Sequence, residues 1–338
     1  LVVFFNAFGM RKGGAMVDVK NIVYYWGKRY PEDTLILLAP ANFQYEDLAS
    51  TNIKVITHDL SNLELKRLYY HFFKIINLAT ASQVDVIISF NNLGLYRKNN
   101  IPSIVSLRTA YLVYPIKDLK QFISFKSIIR LLFQRFFFKI SLKTADAIFT
   151  QTDTIKERLY KQYNPQILVK KISKAVLIGN KKPEIMKKAK NIFRFVYVTA
   201  NYPHKNILTI IKAFKLLARE YNNIELSITI SLEEFKRSYK KDVDINESYF
   251  TNKISFLGWL DRNKLVNLYL NSDVALVPSL FESFSGSYIE AMYYELPLIV
   301  SDLDFAREIC GKAAIYVAPT DEKGWYLSMK KLILDNNL

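Results

Sequence analysis

The chain has 338 residues, half of them hydrophobic and 23% charged, which is too long for one small core and too apolar for a disordered chain. A single cysteine, Cys310, excludes a disulfide scaffold and fits a reducing compartment; ten Gly and ten Pro exclude collagenous or low-complexity architecture. The formal charge is +16, and +13 of it falls in residues 1–180, where 25 Lys and Arg face 12 Asp and Glu. A surface of that sign seeks phosphate in nucleic acid, in an anionic membrane or on a small molecule.

In chain order, strand-like and helix-like runs alternate. LVVFFN opens as a strand rather than a signal peptide, because no basic n-region or small-residue cleavage site accompanies it, and a residue or more is expected upstream. Helical spacing over Ala15–Tyr30 follows, then strands at Thr34–Ala39 and Ile53–Ile56, a helix at Leu63–Ala81 and the buried-strand run VDVIISF at Val84–Phe90. Ile101–Leu107 and Ala147–Thr150 are strands on either side of a long helical stretch. The basic segment Lys170–Lys190 reads as a linker. Beyond it the theme repeats: strands at Phe193–Thr199, Ile224–Ile230, Ile254–Leu257, Val274–Val277, Pro297–Val300 and Ala313–Val317, with helices at Ile207–Glu220, Leu260–Leu270 and Tyr288–Tyr294. Such alternation predicts α/β architecture with parallel sheets, in two Rossmann-like domains (1–175 and 176–338) facing a central cleft.

Three strand-to-helix junctions carry candidate chemistry. NAFGMRKGGA places Arg11, Lys12, Gly13 and Gly14 where the first helix begins. Cations there oppose the helix dipole, and glycines admit close backbone approach, so an anion or a solvated loop both fit. TANYPHKNI places His204 and Lys205 at a corresponding junction of the second half. PSLFESFSGSYIEAM puts Ser285 and Gly286 at a helix start, with Glu282 before it and Glu290 inside it. Free N–H groups near Ser285–Ser287 suit phosphate, and a carboxylate suits paired sugar hydroxyls. Spacing alone also allows Glu290 to be a first-turn acid and Glu282 a solvated loop residue. GxGxxG and GxxxxGK[ST] are both absent.

The run Ile254–Pro319 resembles retaining glycosyltransferases of the GT-B fold, specifically the large family four group. Glu282 and Glu290 match that family's E-x7-E pair, flanked by PS, EAM, LP, SD and REI in order. TANYPHKNILTIIKAF matches its HKN segment, and AFGMRKGGAMVDVKNI its glycine-bearing first loop. The resemblance implies that Glu290 binds a nucleotide ribose, Glu282 contacts the donor sugar and Lys205 neutralises the diphosphate. It also implies that Phe284, Ser285, Gly286 and Ser287 offer backbone groups to the donor, with Gly13 and Gly14 approaching the diphosphate. Ala200 stands where many members carry Arg, and Arg108 in SLRTAYLVYP is the nearest polar residue to the family's usual His.

The implied enzyme is a hexosyltransferase-type glycosyltransferase that moves a sugar from a nucleoside-diphosphate sugar to a glycan, lipid-linked in cell-surface polysaccharide synthesis. Lys205, Glu282 and Arg108 would be its catalytic residues. It is expected to need no cofactor and no metal. The D-x-D patterns Asp242–Asp244 and Asp302–Asp304 read better as a charged surface and a helix cap, and the three His show no zinc spacing. Lys117–Lys143, with seven Lys and Arg, one Asp and six Phe, suits either a helix packed on the N-terminal sheet with its lysines in water or, the favoured reading, the surface of an anionic membrane, so a peripheral place on the cytoplasmic face of the inner membrane is expected. The alternatives are a non-catalytic nucleotide-sugar or glycan-binding protein, or a basic nucleic-acid-binding protein. The last lacks a recognised module, so no nucleic-acid partner is expected.

Overall fold

A computed structural model describes residues 1–11, 13–59, 69–120, 122–172, 192–239, 241–244 and 252–335. The chain divides into two compact units, Leu1–Ala175 and Val176–Leu338.

The first unit holds a seven-stranded sheet, all parallel, in the order β3-β2-β1-β4-β5-β6-β7. The strands are β1 Val2–Asn6, β2 Thr34–Pro40, β3 Ile53–His58, β4 Val86–Ser89, β5 Ser103–Leu107, β6 Ala147–Thr150 and β7 Leu168–Lys171. Runs such as VVFFN and TLILLAP are continuously apolar because both faces are covered. Phe5, Leu35 and Leu37 pack beneath Val19 and Val23 of the helix Gly13–Arg29. Their neighbours Phe4, Ile36 and Leu38 point the other way, onto Ile75 and Ala79 of the helix Ile75–Ala81.

The second unit repeats the plan with six parallel strands in the order β10-β9-β8-β11-β12-β13. These are β8 Phe193–Tyr197, β9 Ile224–Ile228, β10 Ile254–Phe256, β11 Val274–Val277, β12 Leu298–Ser301 and β13 Ile315–Val317. The helix Ile207–Ala218 buries Ile207, Ile210, Ile211, Phe214 and Leu217 in its core, and the C-terminal helix Glu322–Leu334 adds Trp325 and Met329.

Three sequence expectations change. Lys170 and Lys171 belong to β7 rather than to a linker, because LVKK pairs along β6; residues 173–191 lie outside the described part. The predicted helix at Leu63–Ala81 is described from Tyr69 onward, where a π-helical turn Tyr70–Lys74 leads into Ile75–Ala81. Asp302 does not cap a helix: Leu303 is the N-cap residue of Asp304–Cys310, and Asp302 instead accepts from Arg307 Nε at 2.5 Å.

Candidate functional site

In each sheet the strand order reverses once, between β1 and β4 and between β8 and β11. Connections leave such a point in opposite directions and open a crevice at the carboxyl ends of the two strands, where α/β sheets bind ligands. The loops singled out in the sequence are the ones that emerge there.

In the second unit the β8 loop (Val198–Asn206) and the β11 loop (Pro278–Ser285) are tied together. The Leu280 amide donates to the His204 carbonyl at 2.8 Å. Asn206 caps the helix Ile207–Ala218 in the left-handed region (φ 56°), and its side-chain amide donates to the carbonyls of Pro278 (3.2 Å) and Pro319 (2.7 Å). Asparagine tolerates that backbone better than most residues do. The His204 ring stacks between Tyr202 and Phe281, with centroids 5.6 and 5.0 Å away. Lys205, at the end of the 3-10 turn Pro203–Lys205, forms an ion pair with Glu282 through Nζ and Oε1, and Ser279 Oγ donates to the same oxygen at 2.9 Å.

The electrostatics follow from this packing. Burial by itself would raise the Glu282 carboxyl, but Lys205, His204 and Ser279 overcome it and hold the group below its ordinary value. Burial pushes the His204 imidazole down to about 4, with Lys205 acting the same way and Glu282 opposing, so the ring is neutral at pH 7. The pair is therefore one ammonium and one carboxylate beside a neutral aromatic base, at the mouth of a parallel sheet.

Glu290 is the fifth residue of the helix Gly286–Tyr293, so it is not a first-turn acid. Its carboxylate is already addressed on both oxygens: Arg262 Nη1 donates to Oε1 at 2.7 Å, and the Tyr269 hydroxyl to Oε2 at 3.0 Å. Ser285 is the N-cap residue, largely buried, and its side chain makes no capping bond. Gly286 begins the helix, and Ser287 Oγ donates to the Val198 carbonyl at 3.1 Å, fixing the helix start against the end of β8. Phe284 lies in the loop just before. Arg262 and Tyr269 were missed in the sequence. Arg262 had a signal of the kind used for Lys205: a cation in the first turn of a helix, directly after its N-cap Asp261.

In the first unit, Gly13 opens the helix Gly13–Arg29 and Gly14 follows it. The β1 loop before them is pinned from two sides. Tyr45 donates its hydroxyl to the Met10 carbonyl at 2.9 Å, and Asn91, beyond β4, donates to the Phe8 carbonyl at 2.9 Å. Asn91 also reaches His71 Nε2 (3.1 Å), whose Nδ1 meets the Gly94 carbonyl at 2.7 Å; the carbonyl requires the proton on Nδ1. Arg108 leaves β5 with its guanidinium paired to Asp18 of the first helix, the two side chains only 7% and 8% exposed. Among the described residues no three His, Cys, Asp or Glu side chains gather as a metal-holding group.

Comparison with known proteins agrees with this architecture. The chain is 33% identical over 217 residues to the O-antigen chain mannosyltransferase RfbU of Salmonella typhimurium, covering 64% of this chain and 59% of that protein. It is 30% identical over 142 residues to an Escherichia coli UDP-Gal:alpha-D-GlcNAc-diphosphoundecaprenol alpha-1,3-galactosyltransferase, covering 40% of this chain and 35% of that one. The matches thus span less than two thirds of these relatives' length. Among solved structures, a sucrose-phosphate synthase from Thermosynechococcus elongatus aligns over 99% of this chain and 90% of its own, with a TM-score of 0.71 at 14% identity. WaaG, a glycosyltransferase involved in lipopolysaccharide biosynthesis, aligns over 99% and 91%, with a TM-score of 0.70 at 15% identity. The two parallel-sheet units are those of the GT-B fold, and residues 179–338, which carry the Lys205–Glu282 pair and Glu290, match the family of glycosyl transferases group 1.

Proposed function

We propose that this chain is a retaining glycosyltransferase that takes a hexose from a nucleoside-diphosphate sugar and places it on a glycan acceptor of the bacterial cell surface. The observation that carries the reading is the pair of half-buried Lys205 and buried Glu282 at the β8/β11 switch point, beside the helix that begins at Gly286. One ammonium and the first-turn amides suit a diphosphate, and carboxylates suit sugar hydroxyls. One relative is named as an O-antigen chain mannosyltransferase and another as a galactosyltransferase acting on alpha-D-GlcNAc-diphosphoundecaprenol, and these names support the sugar class and the acceptor class.

In this reading the diphosphate leaves as the glycosidic bond breaks, and Lys205 with the Phe284–Ser287 backbone stabilises the developing charge. Glu282 orients the sugar through its hydroxyls, and Glu290, steadied by Arg262 and Tyr269, holds the ribose. The acceptor hydroxyl attacks from the face the diphosphate leaves, passing its proton to a diphosphate oxygen. No metal is assigned a part. Gly13 and Gly14 keep their assignment as ligand contacts of the first unit. Arg108, committed to Asp18, is given a positioning part, holding the first helix against the end of β5.

The reading extends to the membrane. The helix Phe125–Thr144 exposes Phe125, Ile129, Leu132, Phe133 and Phe136, which fall on one side at helical spacing, with exposed Lys126, Arg130 and Lys143 beside them. Among the described residues no helix is long and apolar enough to cross a membrane. A basic, aromatic stripe of this kind lies in an anionic interface, so a lipid-linked acceptor at the cytoplasmic leaflet is the proposed substrate.

Turnover of a nucleotide-sugar panel tests the site. Glu290→Ala and Lys205→Ala should each lower kcat/KM by ~100-fold or more, with activity of the parent unchanged in chelator. Unaltered kinetics in both variants would remove the assignment.

A further inference from the structure

The side of the Phe125–Thr144 helix that faces the protein contains a cation with no counter-charge among the described residues. Arg135 is only 7% exposed, among buried Leu131, Phe138 and Leu142. Its Nη2 donates to the carbonyls of Tyr111 (2.7 Å) and Tyr114, its Nε has no hydrogen-bond partner, and it forms no ion pair among the described residues. Two carbonyls satisfy donors but do not cancel a charge, so the guanidinium retains an unfilled demand for an anion. Beside it lies a cavity of about 250 Å3, walled by Ile116, Leu132, Phe136 and Tyr163, with exposed Lys139 and Gln162 at its rim. Lys139 likewise makes no ion pair among the described residues.

We infer that this cavity is a binding site for the head group of one anionic bilayer phospholipid, its phosphate against Arg135 and Lys139 and its glycerol body against Leu132 and Phe136. The inference rests on the membrane reading above and gives it a specific ligand. Charge complementarity selects an anion, and the apolar wall selects an amphiphile over a bare ion. Size limits the part held: a half-open space of about 250 Å3 suits a head group and not the two acyl chains. The chains must therefore remain in the bilayer. Leu132 and Phe136 belong both to the cavity wall and to the exposed stripe, so the opening lies where that stripe would meet lipid.

Isothermal titration of the full chain with dihexanoyl phosphatidic acid, which stays monomeric, should saturate a single site. Dihexanoyl phosphatidylcholine and inorganic phosphate should bind at least about tenfold more weakly, one lacking net charge and the other the apolar body. Gln162→Trp, which fills the cavity from its rim without touching the bonds of Arg135, should weaken phosphatidic acid by about tenfold or more. Arg135→Gln should do the same, circular dichroism confirming its fold. Equal binding of the choline lipid or of phosphate, or unchanged affinity in Gln162→Trp, overturns the inference. So does a preference for farnesyl phosphate, which would assign the cavity to an isoprenoid. A Phe125→Ser/Phe133→Ser variant, outside the cavity, separates the two claims. It should lose sedimentation with anionic vesicles while retaining the short lipid; lost sedimentation with no short-lipid site in any form leaves the stripe and removes the cavity.

Discussion

His204 shows how packing tunes a side chain. Stacked between two rings and packed beside a charged pair, its imidazole titrates at about 4 rather than at its ordinary 6.5. A histidine with a depressed folded pKa gains protons on unfolding, so its contribution is complete above pH 6.5 and fades as pH falls toward 4. The full contribution is at most about 3 kcal/mol. The ring resonance should therefore titrate near 4 by NMR, and the acid loss in urea midpoint should shrink in His204→Gln; a midpoint near 6.5 would contradict the packing described. Glu282, depressed by Lys205, loses its contribution in the same direction at lower pH. Arg108 and Asp18 pose a different problem. Removing one member of a buried pair leaves the other uncompensated, so Arg108→Met should cost about 3–5 kcal/mol in urea unfolding. Asp18→Leu/Arg108→Met should recover most of that stability and most turnover. If Arg108 touched substrate, the double variant would remain as impaired as the single.

At the scale of elements, legibility in the sequence followed burial. Strands covered on both faces, such as VVFFN and VALV, announce themselves as unbroken apolar runs. β7 did not, because an edge strand alternates exposure (LVKK, with only Val169 buried) and its lysines resemble a linker while they guard the edge. The helix start at Ser285–Gly286 was legible from its residues, whereas the Arg262–Glu290 contact, 28 positions apart, depends on where β11 sets two helices side by side. Lys117–Lys143 reads as one basic amphipathic segment but folds as a turn of helix, Ile116–Leu119, and then Phe125–Thr144. That second helix has two apolar sides, one in the core and one exposed, which a single hydrophobic count cannot distinguish. Sedimentation with phosphatidylglycerol vesicles checks the exposed side: binding is expected to fall with added salt and to vanish in Phe125→Ser/Phe133→Ser.

Across the whole molecule, two sheets obey one rule, each reversing its strand order once and sending its polar loops out at that reversal. The rule explains why junctions far apart in sequence could be selected from residue types alone, and why the contacts within them could not. The excess of positive charge in residues 1–180 lies on the unit that also carries the aromatic stripe. The remaining consequence belongs to the Lys205–Glu282 pair, which is self-neutralised and closed by Ser279. An incoming anion would win the ammonium only if something else donates to the abandoned carboxylate, which would otherwise sit desolvated with Ser279 as its remaining donor. Orthophosphate carries its P–OH only on an anionic group that a carboxylate repels, whereas a molecule joining a diphosphate to a polyhydroxy ring offers neutral hydroxyls beside its charge, so this partner swap would reward the conjugate over either fragment.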